Sequence, residues 1–358
     1  MTIHQDIRFC SSSDGVQLAM SLSGTGPYLV KAATWLTHIE KDVYSPHTRQ
    51  WIDELSRKHT YVTYDTRGCG LSDKSASDVS LDAWVRDLEA VVDTLKIEKF
   101  PLLGISCGAA VAVAYAAKHP ERVSKLILFG GYRTSYLTTG NPDAKIIDEA
   151  ETLLKIAGLG WGTGGSAFRQ VFVSKFMPNA TQQQQHDFDE YQRLTATPEM
   201  AMQCLRAMFN INVKEEAKRI SCPCLFFHAR GDQLILFEQG RKLASSIPGA
   251  KFVPLDSENH VPFDGEPCWA TITQEMRLFL GESPVQATAA VLTKRQAEVL
   301  RLVSQGFTDK RIAKELSLSP RTVEMHVASV LKQLKCVTCA EAVHIATARK
   351  LLTTVFMQ

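Results

Sequence analysis

The sequence predicts an α/β protein with a mostly parallel sheet and a helical lid, joined to a small all-α domain of four helices that carries a helix-turn-helix. Three observations predict it. Short apolar runs alternate with helical patterns through residues 1–280, the rhythm of a parallel sheet covered on both faces. That rhythm breaks at about 133–218, a helical stretch rich in Met, Phe and Gln that is too long for a loop and reads as a lid inserted between two strands. After an unpatterned stretch at 281–290 that reads as a linker, four short, separately capped helical patterns fill 291–358.

The elements follow in order. Tyr28-Leu29-Val30, Tyr61-Val62-Thr63-Tyr64, Pro101-Leu102-Leu103-Gly104, Leu126-Ile127-Leu128-Phe129 and Cys224-Leu225-Phe226-Phe227-His228 read as buried strands, with helices at 81–95 and 109–118 between them. The glycine-rich run at 158–165 is expected to interrupt the lid helices. Strand and helix patterning resumes after the lid and ends at Leu280.

The 358 residues are 45% hydrophobic and 22% charged, ordinary for a folded globular chain. The net charge of +2 conceals an asymmetry. Residues 291–358 hold 11 Lys/Arg against 5 Asp/Glu, a net of +6, and the remainder carries −4. Only the tail is therefore expected to meet a polyanion. Nine cysteines without framework spacing are expected to be reduced thiols. Cys336-Val337-Thr338-Cys339 lacks a second ligand pair at zinc spacing, so neither a metal nor a cofactor is expected. The N-terminus lacks the basic and apolar regions of a signal peptide, and no apolar run reaches membrane length. A cytoplasmic protein is expected.

Gly104-Ile105-Ser106-Cys107-Gly108 lies between an apolar strand and an alanine-rich helix. This is the pattern of a nucleophile elbow, where a strained turn exposes a serine and the next backbone N–H faces developing negative charge. Such a serine needs a base and an acid to orient that base. Asp232 follows one strand end and His260 follows the next, with Asp256 and Glu258 as rival acids. The large apolar lid residues Phe168, Phe172, Phe176, Met177, Phe188, Tyr191, Met200, Met202, Met208 and Phe209 collectively suggest an apolar cavity over Ser106. Trp35, Phe172, Phe176 and Met208 are the expected pocket residues.

Through these residues 1–280 resemble the α/β-hydrolase fold, as does Tyr64-Asp65-Thr66-Arg67-Gly68-Cys69-Gly70-Leu71-Ser72-Asp73, similar to that family's D-x-R-G-x-G-x-S loop. That loop reads as a tight turn with an Asp65–Arg67 pair. The resemblance implies a Ser106–His260–Asp232 triad and an oxyanion hole made by the amides of Cys107 and Trp35. The chain departs from the family where His-Gly usually shapes that hole, having Ala32-Ala33-Thr34-Trp35 instead. The triad argues for chemistry, and the altered hole argues for slow chemistry or binding alone.

In the tail, Thr293 with Gln296 forms a capping box and Gly306 stops the first helix. Thr308 caps a second helix with Ile312, Ala313 and Leu316 inward. Ser319 and Pro320 open a third helix, with Val323, Val327, Val330, Leu331 and Leu334 on one face. Thr338 with Glu341 opens a fourth. Dense matching at Leu292-Thr293, Arg295, Glu298-Val299-Leu300, Gly306, Lys310, Ile312-Ala313, Leu316, Ser319, Thr322-Val323, His326, Leu331 and Ala342-Val343 makes this segment resemble the LuxR/GerE-type module. By that resemblance the third helix enters the major groove of double-stranded DNA. Glu324, Met325 and Ala328 then face base edges, and Lys310, Arg321, Thr322, Ser329 and Lys332 face phosphates or flank the groove. A two-fold DNA site implies a homodimer.

The combination carries the functional expectation. It is a transcription regulator whose pocket senses a small apolar ester- or lactone-like ligand. The alternative is an active serine esterase or lactonase with a DNA-binding tail, and a third reading is an inactive scaffold.

Overall fold

The computed structural model describes residues 4–138, 144–161, 167–263, 265–282, 292–334, 336 and 338–348. They form two compact units, Met1–Gly281 and Glu282–Gln358. Beyond Glu282, the expected linker at 281–290 lies outside the described residues.

The first unit is built on an eight-stranded sheet in the order β1-β2-β4-β3-β5-β6-β7-β8. The strands are β1 (Gln5–Ser11), β2 (Gln17–Ser23), β3 (Tyr28–Lys31), β4 (Thr60–Tyr64), β5 (Phe100–Ile105), β6 (Val123–Phe129), β7 (Cys224–Ala229) and β8 (Lys251–Leu255). Strand β2 runs antiparallel to both of its neighbours, and every pairing from β4 to β8 is parallel. The β1–β2 hairpin was not among the expected strands, whereas β8 is the strand expected before His260. Strand β1 alternates poorly because it is an edge, half-buried or exposed along most of its length.

The helices of this unit are α1 (Ile39–Asp42), α2 (Pro46–Leu55), α3 (Leu81–Thr94), α4 (Cys107–Lys118), α5 (Ala144–Gly160), α6 (Ala167–Phe176), α7 (Gln182–Thr195), α8 (Pro198–Phe209), α9 (Lys214–Lys218), α10 (Phe237–Ala244) and α11 (Pro267–Leu280). Each face of the sheet has its own core. Leu88 and Val91 of α3 and the alanines of α4 pack with Val30, Val62 and Leu102. Trp51 and Ile52 of α2 and Ile272 and Met276 of α11 pack with Leu29, Tyr61 and Leu103. Helices α5 to α9 lie between β6 and β7 in the chain, and lid side chains enter both cores: Leu154 and Phe168 one, Phe176, Phe188 and Tyr191 the other.

The lid helices are interrupted in the glycine-rich run, as expected: α5 ends at Gly160 and α6 starts at Ala167. A Cβ on Gly158 would stand 2.3 Å from Met202 Sδ, so that glycine permits a close crossing with α8. One expectation is corrected: Arg67 does not pair with Asp65. Its buried guanidinium binds Asp87 of α3 through two nitrogens, at 2.9 and 2.6 Å, and Asp14 at 2.7 Å. Asp65 instead accepts from the backbone of Ile39 and Leu71. Residues two apart on a turn need not face each other, whereas α3 brings a carboxylate directly to the guanidinium plane.

In the second unit the described helices are α12 (Lys294–Ser304), α13 (Asp309–Glu315), α14 (Pro320–Leu334) and α15 (Cys339–Ala348). The Thr293–Gln296 capping box is formed. Val299, Leu302, Ile312, Ala313 and Val323 join α12, α13 and α14. Leu292, Leu300, Val330, Leu334, Ala342 and Ala346 join α12, α14 and α15. Ser317, with φ of 54°, turns the chain between α13 and α14.

Candidate active site and nucleic-acid surface

Ser106 joins the end of β5 to the start of α4 with φ 56° and ψ −127°, a conformation that L-residues rarely adopt. Its N–H donates to Phe129 O at the end of β6, at 2.8 Å. The strand and helix close tightly below it, since a Cβ on Gly104 would lie 2.7 Å from Ala109 Cα. A half-buried serine is thereby presented above the helix N-terminus, where unpaired amides favour negative charge.

Asp232 follows β7, and its Oδ1 accepts from the amides of Leu234 and Ile235, both at 2.9 Å. Its Oδ2 accepts from His260 Nδ1 at 2.6 Å, with both side chains fully buried. Burial pushes the Asp232 pKa up, but the charge and hydrogen bond of His260 outweigh it and hold the carboxyl below its usual value. With Nδ1–H committed to Asp232, His260 Nε2 is left as the acceptor, and it is buried with no hydrogen-bond partner among the described residues. The lid holds this histidine in place, because the His260 N–H donates to Phe176 O of α6 at 2.8 Å and the two rings are 5.2 Å apart. The imidazole lies against Gly130, next to the carbonyl that anchors Ser106. Neither Asp256 nor Glu258 takes the acid's place at His260.

A second histidine touches the acid. His228 of β7 donates from Nε2 to Ile235 O at 2.8 Å and lies 3.4 Å from Asp232 Oδ2. Burial lowers its pKa and keeps it neutral. The sequence reading missed this role, because His228 there served only to end a strand.

The loop where His-Gly is replaced is pinned from the neighbouring turn. Thr66 Oγ1 donates to Thr34 O at 2.5 Å, Thr66 N to Thr37 Oγ1 at 2.8 Å, and Cys69 Sγ to Trp35 O at 3.2 Å. Burial pushes the Cys107 thiol up to about 12, and the Trp35 amide is the leading opposing influence. The Cys107 thiol therefore lies beside the Trp35 backbone.

Ser106 opens onto a cavity of about 450 Å³. Trp35, Phe172, Phe176 and Met208 all line it, joined by Phe168, Phe188, Tyr191 and Phe209. Met200 and Met202 do not reach it and pack within the core instead. One stretch of wall is polar and was not anticipated: Lys31, Asp42, His47, Tyr61 and Thr63.

On the second unit, Arg321, Glu324, Ala328 and Lys332 of α14 and Lys310 of α13 are exposed, and Met325 is 67% exposed. Thr322 is half-buried and its hydroxyl bonds Ser319 Oγ at 2.7 Å. Ser329, expected to face phosphates or flank the groove, is half-buried and its hydroxyl accepts from Gln296 Nε2 at 3.0 Å, tying α14 to α12. Arg311 is laid over the Phe307 ring at 3.8 Å.

A mostly parallel sheet with a strand–serine–helix elbow, an acid after β7 and a histidine after β8 defines an α/β-hydrolase fold. Residues 39–156 match the family described as alpha/beta hydrolase fold, and residues 290–346 match the bacterial regulatory proteins of the luxR family. The chain therefore joins an α/β-hydrolase domain to a LuxR-family helix-turn-helix domain. The 2-hydroxymuconate semialdehyde hydrolase of Pseudomonas sp. (strain CF600) is 32% identical over 126 residues, covering 35% of this chain and 40% of that one. An esterase from Exiguobacterium antarcticum superposes with a TM-score of 0.65 at 22% identity, over 76% of this chain and 98% of its own. The enol-lactonase from Burkholderia xenovorans LB400 gives 0.62 at 22% identity, over 77% and 100%. Among the described residues, no helix is long and apolar enough to cross a membrane.

Proposed function

We propose that this protein is a cytoplasmic transcription regulator. Its hydrolase-fold unit binds a small, largely apolar ester- or lactone-like ligand over Ser106, and its second unit binds double-stranded DNA as a homodimer. The observation that carries this reading is the pairing, on one chain, of a cavity over a strained serine with an exposed helix of the LuxR type. A ligand carbonyl placed at Ser106 faces the amides of Cys107 and Trp35. Attack by Ser106 Oγ passes its proton to His260 Nε2, while Asp232 stabilises the imidazolium. Loss of the His-Gly oxyanion loop favours slow turnover, so the bound or acylated state is long-lived enough to act as a signal.

The second reading, an esterase or lactonase with a DNA-binding tail, draws on the same buried Asp232–His260 pair. Labelling with a fluorophosphonate and turnover of a p-nitrophenyl ester separate the two. Wild-type protein is expected to label and Ser106→Ala to lose labelling entirely, with turnover far below ordinary enzyme rates. Turnover of about 1–1000 per second would favour the enzyme. Phosphonylated and unmodified full-length protein should then differ by about 5–150-fold in affinity for DNA selected from a random pool. Equal affinities would leave the pocket uncoupled from the reader.

A further inference from the structure

Lys31 is the last residue of β3, and its pairing with Leu103 of β5 turns it to the same face as Tyr61 and Leu103. It is 9% exposed and lines the cavity. Its ammonium makes no hydrogen bond, and no ion pair within 4.0 Å, among the described residues. A buried ammonium without a partner is costly, several kcal/mol after relaxation. Its surroundings do not remove that cost. Burial pushes the Lys31 pKa down; Asp42 is the leading opposing charge, but it accepts its hydrogen bond from Tyr191, at 2.7 Å. Asp65 is committed to the backbone of Ile39 and Leu71.

We infer that Lys31 is the recognition point for a ligand carboxylate, so that the ligand is a small amphiphile with an acidic head at Lys31 and an apolar body running along Phe172 and Phe176 to Ser106. This rests on the reading of the cavity as a ligand site and names its ligand class. Leu103, the register partner of Lys31, precedes Ser106 by three residues, which at about 3.3 Å per residue places the head roughly 10 Å from the nucleophile along the sheet. Neutral donors flank the charge. Tyr61 and Thr63 supply hydroxyls to the same wall. Burial and then the Lys31 charge push His47 down to about 3, so it stays neutral. Its Nδ1 lies 2.6 Å from Ser45 Oγ, which can donate to it and leave Nε2–H for the ligand. Burial also drives Asp42 upward, toward the form that does not repel an anion. A carboxylate here gains a charge-assisted hydrogen bond and gives the ammonium its missing partner.

The test uses full-length Ser106→Ala protein and calorimetric titration of a homologous series of ω-phenylalkanoates against their primary amides. At the best chain length the acid is expected to bind at least about tenfold tighter than its amide, and Lys31→Met should abolish that preference. Thermal unfolding is a second readout. Met in place of an unpaired buried ammonium should hold or raise Tm, whereas a structural lysine would lose Tm on substitution. Equal binding of acid and amide, preference retained in Lys31→Met, or a clear fall in Tm overturns the inference. If acid and amide bind equally while wild-type Ser106 still takes fluorophosphonate, the carboxylate assignment alone fails. If no member binds and Ser106 does not label, the ligand-site reading fails with it.

Discussion

In the hydrolase-fold unit the groups proposed to carry chemistry are withdrawn from water: His260 is fully buried, Asp232 is 3% exposed and Lys31 is 9% exposed. In the helix-turn-helix unit the corresponding groups, Arg321, Glu324 and Lys332, stand in solvent. On the proposed function, the contrast follows from the ligands each would meet. A small molecule is enclosed, so its site can use charges strengthened by low dielectric, and each must be individually compensated. A duplex is approached from outside, so its reader uses solvated charges whose strength depends on salt. Substitutions should therefore act through folding and catalysis in the first unit and through affinity in the second.

The largest expected effect tests the buried half of that contrast. Asp87→Ala leaves Arg67, whose side chain is fully buried, with the partly exposed Asp14 as its carboxylate, beside the Asp78 carbonyl and the Ser12 hydroxyl. Denaturant unfolding should show a loss of about 3–5 kcal/mol in the first unit. A loss below about 1 kcal/mol would mean that burial in this unit does not make charges critical. Next come the exposed groups of α14. Glu324→Ala should change base preference, by about 1–3 kcal/mol at one position, in selection from random DNA. Arg321→Ala should instead weaken all sequences alike and reduce the salt slope by about one. Exchange of those two behaviours would reverse the assignment of roles along the helix. The smallest effect is a control. Glu298 pairs with Arg295 at 2.8 Å on a partly exposed surface, so Glu298→Ala should alter stability by about 0–1 kcal/mol in the same unfolding experiment.

The second unit was largely legible in the sequence, and the reason is local. Its caps, such as Thr293 with Gln296, and its inward faces, such as Val323 and Val330, are properties of neighbouring residues. The tie between Ser329 and Gln296 was not legible, because the two sit 33 residues apart. Ser106, Asp232 and His260 could be proposed because each follows a strand and the order is informative. Lys31 could not. A lysine closing the run Tyr-Leu-Val reads as a solvated strand end. Only the insertion of β3 between β4 and β5 buries it. Arg67 was assigned a near neighbour in sequence, whereas its partner Asp87 arrives on α3, 20 residues later.

Strands β5, β6, β7 and β8 lie side by side in the order in which they are synthesised. Each can dock on a finished neighbour as it leaves the ribosome, and N-terminal domains fold first during translation. His260 comes after β8 and before α12, so the pocket is complete before the DNA-reading helices emerge. On the proposed function, the reader is born onto a sensor that has already met its ligand or missed it. A cell that makes this protein while the ligand is abundant makes it already loaded.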